Sequence, residues 1–316
     1  MRRLKELWLG VLLTAVCCVA ATAQREAPEA WPQIGFDITV LDAQDAPVPN
    51  FAASQISVME DKKPVATFDL LPAGDEPQSV CIVVDMSGSG FSDREVIRRS
   101  ILKLIEDLPG KDEVCLVDFS AESYMDAPLT MDRKMVRQGV DIMRIGGGSA
   151  VYDSIVSTAN YVMENAKFRS RAIILLSDGG DNASEITSDD VLRFLRAAGA
   201  PVVYTIDNHA AKGHEEQDPR GQRWLEKLSS ETGGISWVAK GDAGVDATVS
   251  TLVRALEHRY RLTLTTSAPQ DESGHRLDVT LNKDLRKQKI SVNAARGFAV
   301  RAPSRMSARR FRAKVS

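Results

Sequence analysis

The sequence predicts an α/β fold: a doubly wound, mainly parallel sheet, with a small β-sandwich module formed by the flanks on either side of it. Three observations carry this. From about Ser79 to Arg259, short apolar runs alternate with segments whose apolar residues recur at helical spacing, the pattern of strands joined by crossover helices. Runs such as Ala172-Ile173-Ile174-Leu175-Leu176 and Val202-Val203-Tyr204-Thr205-Ile206 are almost continuously apolar, as strands covered on both faces must be. At 34–72 and again at 259–300 the pattern changes to period two, which marks half-buried strands.

Taken in order, residues 1–23 read as an export signal. Arg2, Arg3 and Lys5 precede an apolar core from Leu7 to Ala21, and Ala21-Thr22-Ala23 is a small-residue cleavage site before Gln24. The core is shorter than the ~20 residues of a membrane span, and no later segment is long and apolar enough. The mature chain is therefore expected to be exported without a transmembrane anchor, to the periplasm, the cell surface or the medium. The N-terminal β segment, 24–77, offers strands over 36–41, 56–59 and 65–71, separated by the turns Asp42-Ala43-Gln44-Asp45 and Glu60-Asp61-Lys62-Lys63.

The central domain, 78–258, is expected to hold strands at 80–85, 113–119, 171–177, 201–207 and 235–238, with a short extra one near 123–127. Helices are expected near 93–108, 132–142, 150–166, 187–198, 219–231 and 243–258. The first of these places Val96, Ile97, Ile101, Leu104 and Ile105 at helical spacing and stops at Pro109-Gly110. The C-terminal β segment, 259–300, alternates through 259–264 and 276–281 and closes with Ile290-Ser291-Val292. Neither β segment has enough strands to stand alone, so the two are expected to pair into one sandwich. The tail, 301–316, carries Arg301, Arg305, Arg309, Arg310, Arg312 and Lys314 and no acidic residue. It reads as a solvated end, with contact to an anionic surface as the alternative.

With 316 residues, 43% of them hydrophobic and 26% charged, the chain is an ordinary globular one, and a net charge of −3 makes no case for nucleic acid. Cys17 and Cys18 belong to the signal. Cys81 and Cys115 fall in expected central strands and read as two buried apolar thiols, with a disulfide as the alternative.

Three short pieces carry the candidate chemistry. Asp85-Met86-Ser87-Gly88-Ser89 follows the strand at 80–85, so a carboxylate and two hydroxyls sit on a turn at the carboxyl end of a strand, the edge where open α/β sheets bind ligands. Gly146-Gly147-Gly148-Ser149 immediately precedes the helix at 150–166; taken alone, Ser149 would be its N-cap. Ser177-Asp178-Gly179-Gly180-Asp181 ends the strand at 171–177. All three fall at one sheet edge, and oxygen ligands without nitrogen or sulfur suit a hard cation, Mg²⁺ first, with Mn²⁺ or Ca²⁺ also accepted.

In these three loops, and over about 78–258, the chain resembles a von Willebrand factor type A domain with its metal-ion-dependent adhesion site. Ser57-Val58-Met59-Glu60-Asp61-Lys62-Lys63-Pro64 and Gly148-Ser149-Ala150-Val151-Tyr152-Asp153 further resemble a bacterial secreted subgroup, the VWFA-related proteins. The resemblance implies Ser87, Ser89 and Ser149 as direct ligands and Asp85 and Asp178 as supports acting through water. Asp181 is a supporting or rim candidate. Ser149 stands where the wider family has threonine, a hydroxyl without the methyl that holds it. Mg²⁺ so held keeps a coordination position open, which a carboxylate from a partner can fill. The expected function is metal-dependent capture of an acidic group on a protein or other partner, self-association included. The alternative is a structural scaffold whose domain binds without metal.

Catalysis is not expected. The position two residues after Asp85 is Ser87, where a phosphatase of the haloacid dehalogenase type needs a carboxylate. Ser87 lacks the flanking glycines of a G-x-S-x-G elbow, and the glycine loop lacks the lysine of a phosphate-binding loop. His209 and His214, with Glu215, fall in a polar loop after the strand at 201–207. They read as solvent-exposed, and His209 is a rim candidate if that loop meets a partner.

Overall fold

The computed structural model describes residues 32–88, 94–207, 219–239, 241–301 and Phe311. Residues 1–23, expected to be an export signal, lie outside the described residues, as do Ser89, His209, His214, Glu215 and nearly all of the basic tail.

The central sheet is built from β5 (Gln78–Asp85), β6 (Glu113–Phe119), β7 (Ser123–Thr130), β8 (Ser170–Leu176), β9 (Val202–Asp207) and β10 (Ser236–Val238). Their order is β10-β9-β8-β5-β6-β7, parallel throughout except for β7, which runs antiparallel to β6. Side chains on a strand alternate between faces, and here that sorts the core into two layers. Val80, Ile82 and Val84 pack with α1 (Arg94–Asp107), α2 (Arg133–Asp141) and α6 (Gly241–Glu257). Cys81 and Val83 pack on the other face with α3 (Val151–Asn165), α4 (Ser188–Leu195) and α5 (Pro219–Thr232). The doubly wound arrangement follows from strands apolar on both sides, each needing a helical cover.

Cys81 and Cys115 are register partners on β5 and β6, with Cα atoms 4.6 Å apart, and form a disulfide. This corrects the reading of two free thiols. Apolar flanks account equally for a buried thiol and a buried bridge, and only the pairing register separates the two.

The flanks pair with each other as the alternation predicts. One sheet has the order β13-β1-β11-β4, from β1 (Gln33–Leu41), β4 (Phe68–Pro72), β11 (Tyr260–Thr265) and β13 (Ser291–Asn293). The other, β14-β12-β2-β3, combines β2 (Ile56–Glu60), β3 (Lys63–Pro64), β12 (His275–Leu281) and β14 (Gly297–Phe298). Each sheet thus holds strands from both ends of the chain, and a third core of Ile38, Val40, Val58, Leu262, Leu264 and Phe298, among others, fills the sandwich.

Several elements differ from expectation: the strand at 65–71 starts only at Phe68, Lys63–Pro64 form a separate strand of the other sheet, and β14 follows the last expected strand. The helix at 187–198 ends at Leu195, because Ala198 N–H donates to the Ala299 carbonyl and Ala299 N–H to that of Arg196. The short helix α7 (Lys283–Lys287) occupies a turn that alternation alone leaves blank.

Arg259 stands where both crossovers into the sandwich meet. Only 2% of its side chain is exposed. It donates to the carbonyls of Leu256 and Glu76 and to Ser170 Oγ, and lies 3.8 Å from Asp37.

Candidate metal site

The carboxyl ends of β5 and β6 and the turn before α3 are knitted together by backbone hydrogen bonds. Met86 N–H donates to the Phe119 carbonyl, Gly146 N–H to that of Met86, and Ala150 N–H to that of Ser120. Asp85 sits at the centre, 3% exposed. Its Oδ1 accepts from Ser87 N–H at 3.0 Å; its Oδ2 accepts from Ser177 Oγ at 2.8 Å and from Ser149 Oγ at 3.2 Å. Burial pushes the Asp85 carboxyl above the usual range. The Ser87 and Ser177 bonds oppose that, and the nearby Asp178 charge adds to it. Among the described residues those immediate neighbours are hydroxyls, an amide and a second carboxylate, so ionised Asp85 has donors around it there and no countercharge.

Ser149 decides between two readings of its loop. The N-cap of α3 is Ala150, with no side-chain cap. The Ser149 hydroxyl instead turns onto Asp85, while its N–H donates to Asn182 Oδ1 at 2.8 Å and its carbonyl accepts from Asn182 and Ala183. The simple capping role is therefore not the one this serine plays.

The third loop is held by backbone contact. Gly179 has φ +78°, and a Cβ built there would lie 2.5 Å from the Gly221 carbonyl oxygen. Glycine at both positions lets the first turn of α5 press onto the segment that carries Asp178, whose Oδ1 accepts from Gly180 N–H at 3.0 Å.

Asp85, Ser87, Ser149 and Asp178 are thus brought together. Asp181 has local partners of its own. Its Oδ2 accepts from Tyr152 N–H and Ser184 Oγ, which fastens the loop to the start of α3. Asp153 does the same from the helix side, accepting from Glu185 and Ile186 N–H. Ser89 and His209 lie outside the described residues. Ser177 and Asn182 were not singled out from the sequence. Ser177 adjoins the strand-terminal aspartate and could have been; Asn182 carries no spacing signal at all. Among the described residues no three His, Cys, Asp or Glu side chains are placed to hold a metal ion, so the group rests on two carboxylates and on hydroxyls.

A mainly parallel α/β sheet with three polar loops converging at the carboxyl ends of its strands is of the open-sheet class, in which that edge is where ligands bind. Residues 80–180 match the family model described as the von Willebrand factor type A domain. The chain is similar to calcium-activated chloride channel regulator 1 of Equus caballus, 27% identical over 193 residues, or 58% of this chain and 19% of that protein. A Borreliella burgdorferi protein described as uncharacterized is 26% identical over 150 residues, 42% of this chain and 43% of that one. The chain thus spans less than half the length of either relative. Among solved structures, a von Willebrand factor type A protein from Catenulispora acidiphila has a TM-score of 0.49 at 13% identity, over 90% of this chain and 78% of that one. The vWF domain of the type V pili tip protein Mfa5 from Porphyromonas gingivalis has a TM-score of 0.43 at 12% identity, over 56% and 94%.

Proposed function

We propose that the protein is an exported binding module, not an enzyme, in which Asp85, Ser87, Ser149 and Asp178, with Ser89, hold a divalent cation that captures a carboxylate of a partner. One observation carries the reading: the Ser149 hydroxyl leaves its helix and joins Ser87 and Ser177 on a buried carboxylate that has a second carboxylate nearby. The donor set fits the cation. It is all oxygen, and its carboxylates need positive charge more than they need further hydrogen bonds. Hard oxygen ligands favour Mg²⁺, with Mn²⁺ and Ca²⁺ as further candidates.

Two carboxylates only balance a divalent ion, so an anionic sixth ligand remains favourable, and when bound the ion supplies that Lewis-acidic position. The chain's own residues hold and orient: Asp85 gathers the hydroxyls, Asn182 fixes the Ser149 backbone, and the Gly179–Gly221 contact sets the height of Asp178. The match of residues 80–180 to the von Willebrand factor type A model supports an interaction module. Export rests on the sequence of residues 1–23, and no described helix is long and apolar enough to cross a membrane.

Calorimetric titration of Mg²⁺ and Mn²⁺ into the mature protein tests this. Saturable binding that disappears in Asp85→Ala is the expected result. A wild-type protein that binds neither ion would sink the metal-dependent reading and leave the scaffold alternative.

A further inference from the structure

At the opposite end of the central sheet from these loops, where β8 begins, a cavity of about 60 Å³ lies between the α/β domain and the sandwich. Asp37, Arg169, Arg171, Arg196 and Arg261 all line it. Four guanidinium groups thus face one carboxylate in a chain whose net charge is −3.

The charges do not cancel locally. Arg196 is paired with Glu231 at 3.3 Å, and Arg261 lies 2.8 Å from Asp37. Asp37 is also shared with Arg259 at 3.8 Å. Among the described residues neither Arg169 nor Arg171 has a carboxylate partner. Arg171 Nη1 donates to the Gly199 carbonyl at 2.8 Å, whereas its Nε is buried without a hydrogen-bond partner. Burial and the like charge of Arg261 both hold the Arg171 guanidinium below its ordinary pKa. Asp37 Oδ1 is buried, and Arg261 Nε, 2.8 Å away, is its close cationic neighbour.

We propose that this cavity is a phosphate site, in which Arg171 Nε–H and the guanidinium of Arg261 hold the oxygens and Arg169 guards the exposed rim. The volume suits one four-oxygen anion, since a single water needs about 10–15 Å³ of such space. Arginine's planar fork of donors matches phosphate geometry. The O–H of hydrogen phosphate, or of a singly protonated phosphomonoester, can face the Asp37 carboxylate that lines the cavity, whereas sulfate, fully ionised at neutral pH, meets it only with repulsion. Arg171 belongs to β8 and Arg261 to β11, so the bound group would tie the α/β domain to the sandwich. Arg169, Arg196 and Gly199 are exposed, so the site can be reached by free phosphate or by a phosphomonoester carried on a larger molecule.

The test is calorimetry and ³¹P line-broadening with inorganic phosphate and with phosphoserine on the full mature chain, with sulfate at matched ionic strength as control. Saturable phosphate binding is expected, with sulfate several-fold weaker and with at least about tenfold weaker binding in Arg171→Gln, a loss of about 1.4 kcal/mol. Tighter binding of phosphoserine than of phosphate identifies a headgroup on a larger ligand; the reverse identifies the free anion. Arg169→Gln, at the exposed rim, should weaken binding by a smaller factor and serves if Arg171→Gln does not fold. The proposal is overturned if wild type shows no saturable phosphate binding, if sulfate binds equally, or if both variants bind as wild type does.

Discussion

Asp85 gathers three hydroxyls and an amide around a carboxylate that is costly to ionise where it lies. Its folded-state pKa is raised, so its contribution to stability is present below the unfolded value of about 3.9 and is lost as pH rises through the folded one. Asparagine mimics the protonated form: its oxygen can face Ser87 N–H, and its amide can donate to the hydroxyls of Ser149 and Ser177. Asp85→Asn is therefore expected to stabilise the metal-free protein by about 1 kcal/mol at neutral pH, with no gain near pH 3.5, while abolishing cation binding. Urea unfolding at the two pH values, beside a metal titration, checks both halves. A loss of stability at neutral pH would show that the carboxylate is already compensated without a cation.

The contact between the third loop and α5 depends on two glycines, Gly179 and Gly221, that sequence periodicity does not mark. Gly179→Ala must accept a positive φ and push a Cβ into a backbone carbonyl. The expected cost is about 2–4 kcal/mol in chemical denaturation, with weaker cation binding because Asp178 is displaced. Unchanged stability would mean that α5 yields easily. Strands β5, β6, β8 and β9 were legible because their apolar runs are nearly continuous, and the motif loops because glycine, serine and aspartate sit at their ends. Whatever depends on contact between distant segments was not. The early end of α4 is set by residue 299, the bridge from Cys81 to Cys115 by strand register, and the placing of Ser149 by Asn182. Nothing in the local sequence of any of the three encodes the partner.

The α/β domain and the sandwich share one buried junction. Arg259 satisfies the carbonyls on which both crossovers end, and it lies near Asp37 with Arg261. Removing it leaves two carbonyls and part of a buried carboxylate charge uncompensated. Arg259→Ala is expected to lower unfolding free energy by about 3 kcal/mol, less than for a lone buried pair because Arg261 remains. Differential scanning calorimetry would show whether the two parts still melt together; separate transitions are the expected sign that the junction, rather than either core, has failed.

The interleaving of strands from both ends of the chain also imposes an order of events on the newly made protein. Val48, near the beginning, accepts a hydrogen bond from the Tyr260 hydroxyl, 212 residues further on. During synthesis β1, β2 and β4 emerge before the central domain, and the strands that will cover them emerge after it. Until β11 and β12 arrive, those early segments present unpaired edges, the condition under which chains stick to one another. The central domain can collapse in the interval from its own local strand–helix units, whereas the sandwich must wait for closure of a very long loop. A cell making this protein has a waiting period to manage, and the early strands are where a chaperone would be needed.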